Sequence, residues 1–256
     1  MKAAILAGGY GTRLSEETTL RPKPMVEIGG KPILWHIMRH YSKFGINEFV
    51  ILLGYKGYFI KEYFSNYYLH KSDVTISTST GEMKFHNGEA ENWKVTLVDT
   101  GLETMTGGRV LRAKEYLKDE TFMLTYGNGV SNVDLNALQK FHESHRKTLT
   151  LTAVQPQERF GVLEFGAKDS ITRFLEKPKG EGAWINGGFF MCHPDIFDYL
   201  NNGDKTIFER QPMEDLVSKN QLMAYRHEGF WKCMDTLRDK ELLEAYWQKG
   251  EIPWTI

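Results

Sequence analysis

The chain of 256 residues carries 32 basic and 33 acidic side chains, a formal net charge of −1, and 41% of it is apolar. These values exclude a disordered chain and give no general electrostatic reason to bind nucleic acid or a membrane surface. A strongly anionic ligand must therefore be met by a local cluster of charge. Two cysteines, Cys192 and Cys233, make neither a disulfide scaffold nor a zinc motif, and they fit a reduced, cytoplasmic setting. No apolar run approaches the roughly 18 residues of a membrane span, and the first stops at Gly8, too early for a signal-peptide core.

In chain order, an apolar strand over residues 3–6 runs straight into glycines. A helix over 32–44 has Pro32 in its first turn and Gly45 just past its end. A strand over 49–53, a helix over 58–68 and strands over 74–77 and 95–98 follow. Next come a helix over 106–117, a strand over 122–126, a helix over 135–144 with Asp134 as its N-cap, and a strand over 149–154. Strands alternating with helices predict an α/β fold with a mixed, mostly parallel, Rossmann-like sheet flanked by helices.

The second half changes character. Short strands are expected over 161–165, 171–175 and 187–191, helices over 194–200 and 213–219, a strand over 222–227 and a closing helix over 236–248. This half reads as a small α+β portion appended to the sheet. No repeat or linker interrupts the chain, so 1–256 is read as one domain divided near residue 155. Open parallel sheets bind ligands beyond the carboxyl ends of their strands, which directs attention to the loops after Leu6, Tyr126 and Leu175.

The loop after Leu6 contains Gly8, Gly9 and Gly11, whose backbone N–H groups can face a phosphate without side-chain obstruction. Arg13 and Lys23 can add charge-assisted bonds. A P-loop would end in Gly-Lys-Ser/Thr, which is missing. A dinucleotide fingerprint would place a third glycine where Leu14 stands, which disfavours an NAD-dependent enzyme. The glycines alone fit a tight turn with solvated basic residues equally well.

The whole set of motifs is more specific. Gly8-Gly9-Tyr10-Gly11-Thr12-Arg13-Leu14, Arg21-Pro22-Lys23-Pro24-Met25 and Gly30-Lys31-Pro32 are followed by Tyr126-Gly127-Asn128-Gly129 and Glu176-Lys177-Pro178. Asn186-Gly187-Gly188 and Phe230-Trp231 with Asp235 complete the series. In this order, and over nearly the whole chain, it resembles the sugar-phosphate nucleotidyltransferases. Residues 15–18, 25–30, 32–38, 105–109 and 234–239 bring it nearest to members that transfer a cytidylyl group to glucose 1-phosphate.

The resemblance implies that CTP and glucose 1-phosphate give CDP-glucose and pyrophosphate, with Mg²⁺ as cofactor. A sugar-phosphate oxygen attacks the α-phosphorus in line, so catalysis is positioning and charge stabilisation without a protein nucleophile. It also implies a homo-oligomer, with no nucleic-acid or membrane partner. Uridylyl or thymidylyl transfer is the alternative reaction, and a nucleotide-sugar-binding homologue with little turnover is the alternative class.

Site residues follow from the same resemblance. Arg13, Lys23 and Lys177 carry the catalytic positive charge. Leu6, Gly8, Gly9, Gly11 and Thr12 join Arg13 and Lys23 around the nucleotide, with Glu27 a weaker candidate. Glycines 107 and 108 are expected to let the backbone approach the base, beside Thr106 and with Arg109 donating to the cytosine carbonyl. Spacing alone would instead make Thr106 a helix cap and Arg109 a solvated charge. Tyr126, Glu176, Lys177, Asn186 and Gly187 are expected at the sugar phosphate, so residues 1–155 form the nucleotide part and 156–256 the sugar-phosphate part.

Asn128 and Asp235 are expected at the metal. Members of the family carry Asp at the position of Asn128, and an amide oxygen is a neutral ligand. Three readings of this departure are open: an active variant relying on Asp235 and the phosphates, a degenerate homologue, and an engineered near-isosteric replacement. Retention of side-chain size favours the last, and in each the expected consequence is weaker activity than with Asp.

Other conspicuous residues have plainer readings. His36 and His40, four apart on a helix, read as packing residues, since zinc would need further ligands. The aromatic run from Tyr55 to Tyr68 reads as a core face or subunit interface. Cys233 has no partner base and is not read as a nucleophile.

Overall fold

The structure, a computed structural model, describes residues 1–156, 162–165, 170–175 and 183–254. Seven strands form its main sheet: β1 (Lys2–Ala7), β2 (Glu48–Leu53), β3 (Lys94–Asp99), β4 (Phe122–Tyr126), β5 (Leu149–Val154), β6 (Ile185–Cys192) and β7 (Leu222–His227). Their spatial order is β7-β5-β6-β4-β1-β2-β3. β1 runs parallel to β2 and β4, β2 to β3, and β5 to β7, whereas β6 is antiparallel to both β4 and β5. The expected mixed, mostly parallel sheet is thus present.

The sheet divides the core into two layers because successive side chains of a strand point to opposite faces. Ala3, Ile5 and Ala7 pack with Ile33, Leu34, Ile37, Met38 and Tyr41 of the helix Ile33–Lys43. Ala4, Leu6, Val50 and Leu52 pack on the other side with Val110, Ala113, Leu117 and Phe197. Two strands of the second half, β6 and β7, enter this same sheet. The reason is visible in β6, where Phe189, Phe190, Met191 and Cys192 are all buried. Consecutive buried residues require cover on both faces, which an interior strand has.

Two expected helices are each divided. The one over 58–68 becomes Gly57–Ser65 and Tyr67–His70. Between them the Asn66 amide donates to the Glu62 carbonyl at 3.0 Å, a side-chain bond that competes with helix continuation. The one over 106–117 breaks at Ala113, whose N–H is shared between the carbonyls of Arg109 and Val110. Asp134 caps its helix as expected, accepting from Ala137 N at 2.9 Å, and Thr236 with Asp239 forms a capping box on Leu237–Gln248. His36 and His40 are buried packing residues, with the His36 ring held between the Ile28 carbonyl and the Trp254 indole. Among the described residues no helix is long and apolar enough to cross a membrane.

Several short ladders lie outside the main sheet, and they include the expected strands near 74–77, 161–165 and 171–175. Asp73–Ile76 pairs with Met83–His86, and Val162–Phe165 with Ile171–Leu175. The ladder that matters for function joins Gly129–Ser131 to Trp231–Cys233. It is extended by Met234 N donating to the Asn128 carbonyl at 2.8 Å, and it brings Asp235 beside Asn128 across 107 residues of chain.

Candidate active site

A cleft of about 390 Å³ opens beyond the carboxyl ends of β1 and β4. Leu6, Gly8, Gly9, Gly11, Thr12, Arg13, Lys23, Thr106, Arg109, Tyr126 and Asn128 all line it. The two loops that form its floor are tied together by Gly127 N donating to the Leu6 carbonyl at 2.9 Å. Gly11 has φ of +68° and starts the short turn Thr12–Leu14, a left-handed conformation that disfavours any side chain. Gly9 differs, because a Cβ there would meet no protein atom within 4 Å. Packing does not explain that glycine; unobstructed access for a ligand does.

Arg109 lies beneath this loop and is only 5% exposed. Its Nη1 donates to Leu53 O, Thr100 Oγ1 and Gly101 O at 3.1, 2.8 and 2.6 Å, and its Nη2 to Gly8 O and Leu102 O at 3.0 and 3.1 Å. The expected donation to a cytosine carbonyl is thus replaced, at both terminal nitrogens, by bonds to protein oxygens. Nor is Arg109 a solvated charge. Burial draws its pKa below the ordinary guanidinium value, and five oxygen dipoles compensate the cation. A Cβ on Gly8 would lie 2.4 Å from the Arg109 guanidinium carbon, so this glycine is required by the arginine below it.

Glycines 107 and 108 also have a reason other than the expected one. Added Cβ atoms would stand 2.6 Å from Thr206 Cγ2 and 2.7 Å from the Asp204 carbonyl respectively. Their smallness admits the 203–208 segment rather than a base. Thr106 is the first residue of its helix and makes no cap bond. Its hydroxyl accepts from Phe208 N at 2.9 Å and donates to Glu209 at 2.6 Å.

Charge concentrates at Asp235. Lys23 Nζ lies 2.5 Å from one carboxylate oxygen, Arg13 Nη1 3.0 Å from the other, and Asn128 Nδ2 donates to the first at 2.9 Å. Burial by itself would raise the Asp235 pKa, but the Lys23 ammonium and then Arg13 hold it below the usual carboxylate range. Arg13 is mostly exposed and Lys23 mostly buried, so the pair presents one mobile and one fixed cation to the cleft. Cys233 Sγ sits 3.6 Å from Asp235, and burial pushes its thiol up to about 11, which keeps it protonated and unreactive at neutral pH.

The donor chemistry fits a hard divalent cation shared with phosphate oxygens. Among the described residues no three His, Cys, Asp or Glu side chains are placed to hold a metal by themselves. Mg²⁺ sites of that kind use one or two carboxylates with phosphates and water, so the Asp235 carboxylate, with the Asn128 amide beside it, fits the lower end of that range.

On the opposite side of Tyr126 a second network begins. The Tyr126 hydroxyl donates to Glu209 at 2.6 Å and accepts from Asn186 Nδ2 at 3.2 Å, while Asn186 Oδ1 accepts from Gly188 N at 2.8 Å. The Gly187 carbonyl accepts from the Trp231 indole at 2.7 Å. Gly188 has φ of +77°, and a Cβ there would be 2.4 Å from the Tyr126 ring. Gly188→Ala is expected to cost about 2–5 kcal/mol, from left-handed strain of about 1–2 kcal/mol and overpacking of about 1–3 kcal/mol. Urea denaturation measures this, and an unchanged midpoint would refute the assignment.

Glu176 and Lys177 lie outside the described residues. Two acidic neighbours of the cleft, Glu103 and Glu209, belong to no sequence motif. Tyr10 donates to Glu103 across the cleft at 2.5 Å, and Glu209 joins Thr106 to Tyr126. An acidic residue in a polar loop carries no local signal, and only the tertiary contact identifies it.

Residues 2–248 match the family described as nucleotidyl transferase. The chain is 56% identical over 255 residues to the glucose-1-phosphate cytidylyltransferase of Salmonella typhimurium, covering 99% of this chain and 98% of that protein. Two solved structures share the fold. HddC from Yersinia pseudotuberculosis, complexed with GMP-PN, has a TM-score of 0.67 and 24% identity over 96% of this chain and 99% of its own. A UDP-glucose pyrophosphorylase complexed with UDP-glucose has a TM-score of 0.66 and 19% identity over 97% and 98%.

Proposed function

Because this chain belongs to the nucleotidyl transferase family, we propose that its cleft joins CTP to glucose 1-phosphate, giving CDP-glucose and pyrophosphate. The observation that carries the reading is the convergence of Arg13 and Lys23 on Asp235 at a glycine-lined cleft, in a chain 56% identical to a glucose-1-phosphate cytidylyltransferase. Two anionic substrates must be brought together there, and these cations are what lowers their repulsion.

The nucleotide occupies the floor formed by Leu6, Gly8, Gly9, Gly11 and Thr12, with Thr106 on the facing wall. Arg109 acts from below, holding Gly8 and residues 100–102 in place rather than reading the base through its terminal nitrogens. Arg13 and Lys23 leave Asp235 for the β- and γ-phosphates. A sugar-phosphate oxygen forms the new bond to the α-phosphorus as the bond to the β-phosphate oxygen breaks, and the leaving electron pair departs with pyrophosphate. Arg13 and Lys23 meet the charge that develops on it. Asp235 and Asn128 would hold Mg²⁺, which, when bound, neutralises phosphate charge and orients the phosphates.

Tyr126, Asn186 and Gly187 serve the sugar side, and the sequence motif assigns Glu176 and Lys177 to the same role. The single domain then divides near residue 155 into a nucleotide part and a sugar-phosphate part, with Asp235 reaching back from the second. Exposed Tyr58, Phe59, Tyr68, Ile76, Met83 and Phe85 support assembly into a homo-oligomer. The cysteine usage supports a cytoplasmic location.

The test is pyrophosphate release from glucose 1-phosphate with CTP, UTP and dTTP assayed separately, at high enzyme concentration. CTP is expected to give the highest kcat/KM. Preference for UTP or dTTP would move the base assignment, and no release with any of them would reject the reading.

A further inference from the structure

Glu209 belongs to none of the motifs discussed, yet its carboxylate spans two walls of the site. One oxygen takes the Thr106 hydroxyl proton and the other takes that of Tyr126, each at 2.6 Å. An ionised carboxylate only accepts, so both hydroxyls must donate to it. The Tyr126 oxygen is left as an acceptor, and Asn186 Nδ2 uses it at 3.2 Å. The orientation of the Asn186 amide is fixed independently at its other end, because Gly188 N can only donate and Asn186 Oδ1 receives it at 2.8 Å. The second N–H of Asn186 has no partner among the described residues.

We propose that Glu209 is a positioning residue for the sugar subsite, holding the Tyr126 and Asn186 side chains so that Asn186 offers an N–H to a hydroxyl oxygen of the hexose. The physical argument is proton direction. Were the Tyr126 hydroxyl free to rotate, its proton would point at the Asn186 Nδ2–H as readily as away from it, and the bond that holds the nitrogen end of the amide would be lost part of the time. With Glu209 present only one arrangement satisfies all four groups. Glu209 itself needs no contact with substrate.

This proposal rests on the cytidylyltransferase reading, and the test separates the two. Binding of CDP-glucose and of CDP is measured by titration calorimetry, with Mg²⁺ present, for the full chain, Glu209→Gln and Tyr126→Phe. Glu209→Gln keeps the shape but turns one acceptor into a donor, and Tyr126→Phe deletes the hydroxyl that relays the effect. Each variant is expected to weaken CDP-glucose binding by on the order of fivefold to tenfold, the effect of about one hydrogen bond, and the double variant by no more than either alone. Affinity for CDP should stay within about twofold, since the sugar contact is absent there. Equal weakening of both ligands, the signature of a merely structural role, overturns the proposal, as does no weakening of either. Binding of CDP but not CDP-glucose by the unaltered chain overturns the functional reading itself.

Discussion

Asn128→Asp is expected to raise pyrophosphate release from CTP and glucose 1-phosphate at least about tenfold at limiting Mg²⁺, equivalent to about 1.4 kcal/mol of barrier. Two properties of the amide produce the deficit. It is neutral, so Asp235 alone opposes the cations, and its Nδ2 donates at 2.9 Å to the Asp235 oxygen that also receives Lys23. A metal must displace that donor before it can use the oxygen, whereas a carboxylate would add a second anionic ligand and withdraw the competing donor.

The same exchange has a consequence that does not depend on turnover. Without metal, two carboxylates would face each other, and the variant should lose on the order of 1 kcal/mol of stability. Mg²⁺ binds only the folded site, so it should restore that loss and raise the variant's melting temperature more than the parent's. Equal rates and equal Mg²⁺ responses in the two proteins would sink this account.

Arg109→Leu should be the most damaging single change outside the phosphate-binding residues. It removes a donor to four carbonyls and one hydroxyl that converge from three stretches of chain. Leaving buried acceptors unpaired costs about 1–3 kcal/mol each, and partial repair by water should bring the net loss to about 3–5 kcal/mol. The Gly8 carbonyl keeps only its bond from Tyr55 N, so CTP affinity should fall with stability. Arg109→Lys, whose ammonium has three donors instead of a planar fork, should fall between the two proteins. Denaturant titration and CTP binding measure both effects, and a parent-like midpoint for Arg109→Leu would show that the buried bonds contribute little.

Sequence patterning located the sheet because its strands are apolar runs of ordinary length, and strands 122–126, 149–154 and 222–227 have the expected bounds. It located the cleft because the glycines follow β1 and most of the expected nucleotide residues are local in sequence. What it missed depends on distant chain. Nothing in a helix opening Thr-Gly-Gly-Arg reveals that the glycines admit residues 204–206 or that the arginine faces three separate segments of chain. Three-residue strands such as Gly129–Ser131 and Trp231–Cys233 are too short to show a period, although they place Asp235 beside Asn128. Glu209 has meaning only through the two hydroxyls it meets.

The reversed direction of β6 has an implication for how such a protein changes over time. Its first residues pair with the last of β5, Val154 opposite Ile185, at the sheet edge where β1 and β4 deliver the catalytic loops. The 30 residues from 155 to 184 therefore connect two neighbouring positions at one end of the sheet. Such an excursion can lengthen, shorten or be rewritten at small cost in closure entropy while every strand keeps its register. That single contiguous stretch of gene can then be revised by evolution or by design while the glycine-lined floor of the cleft keeps its sequence.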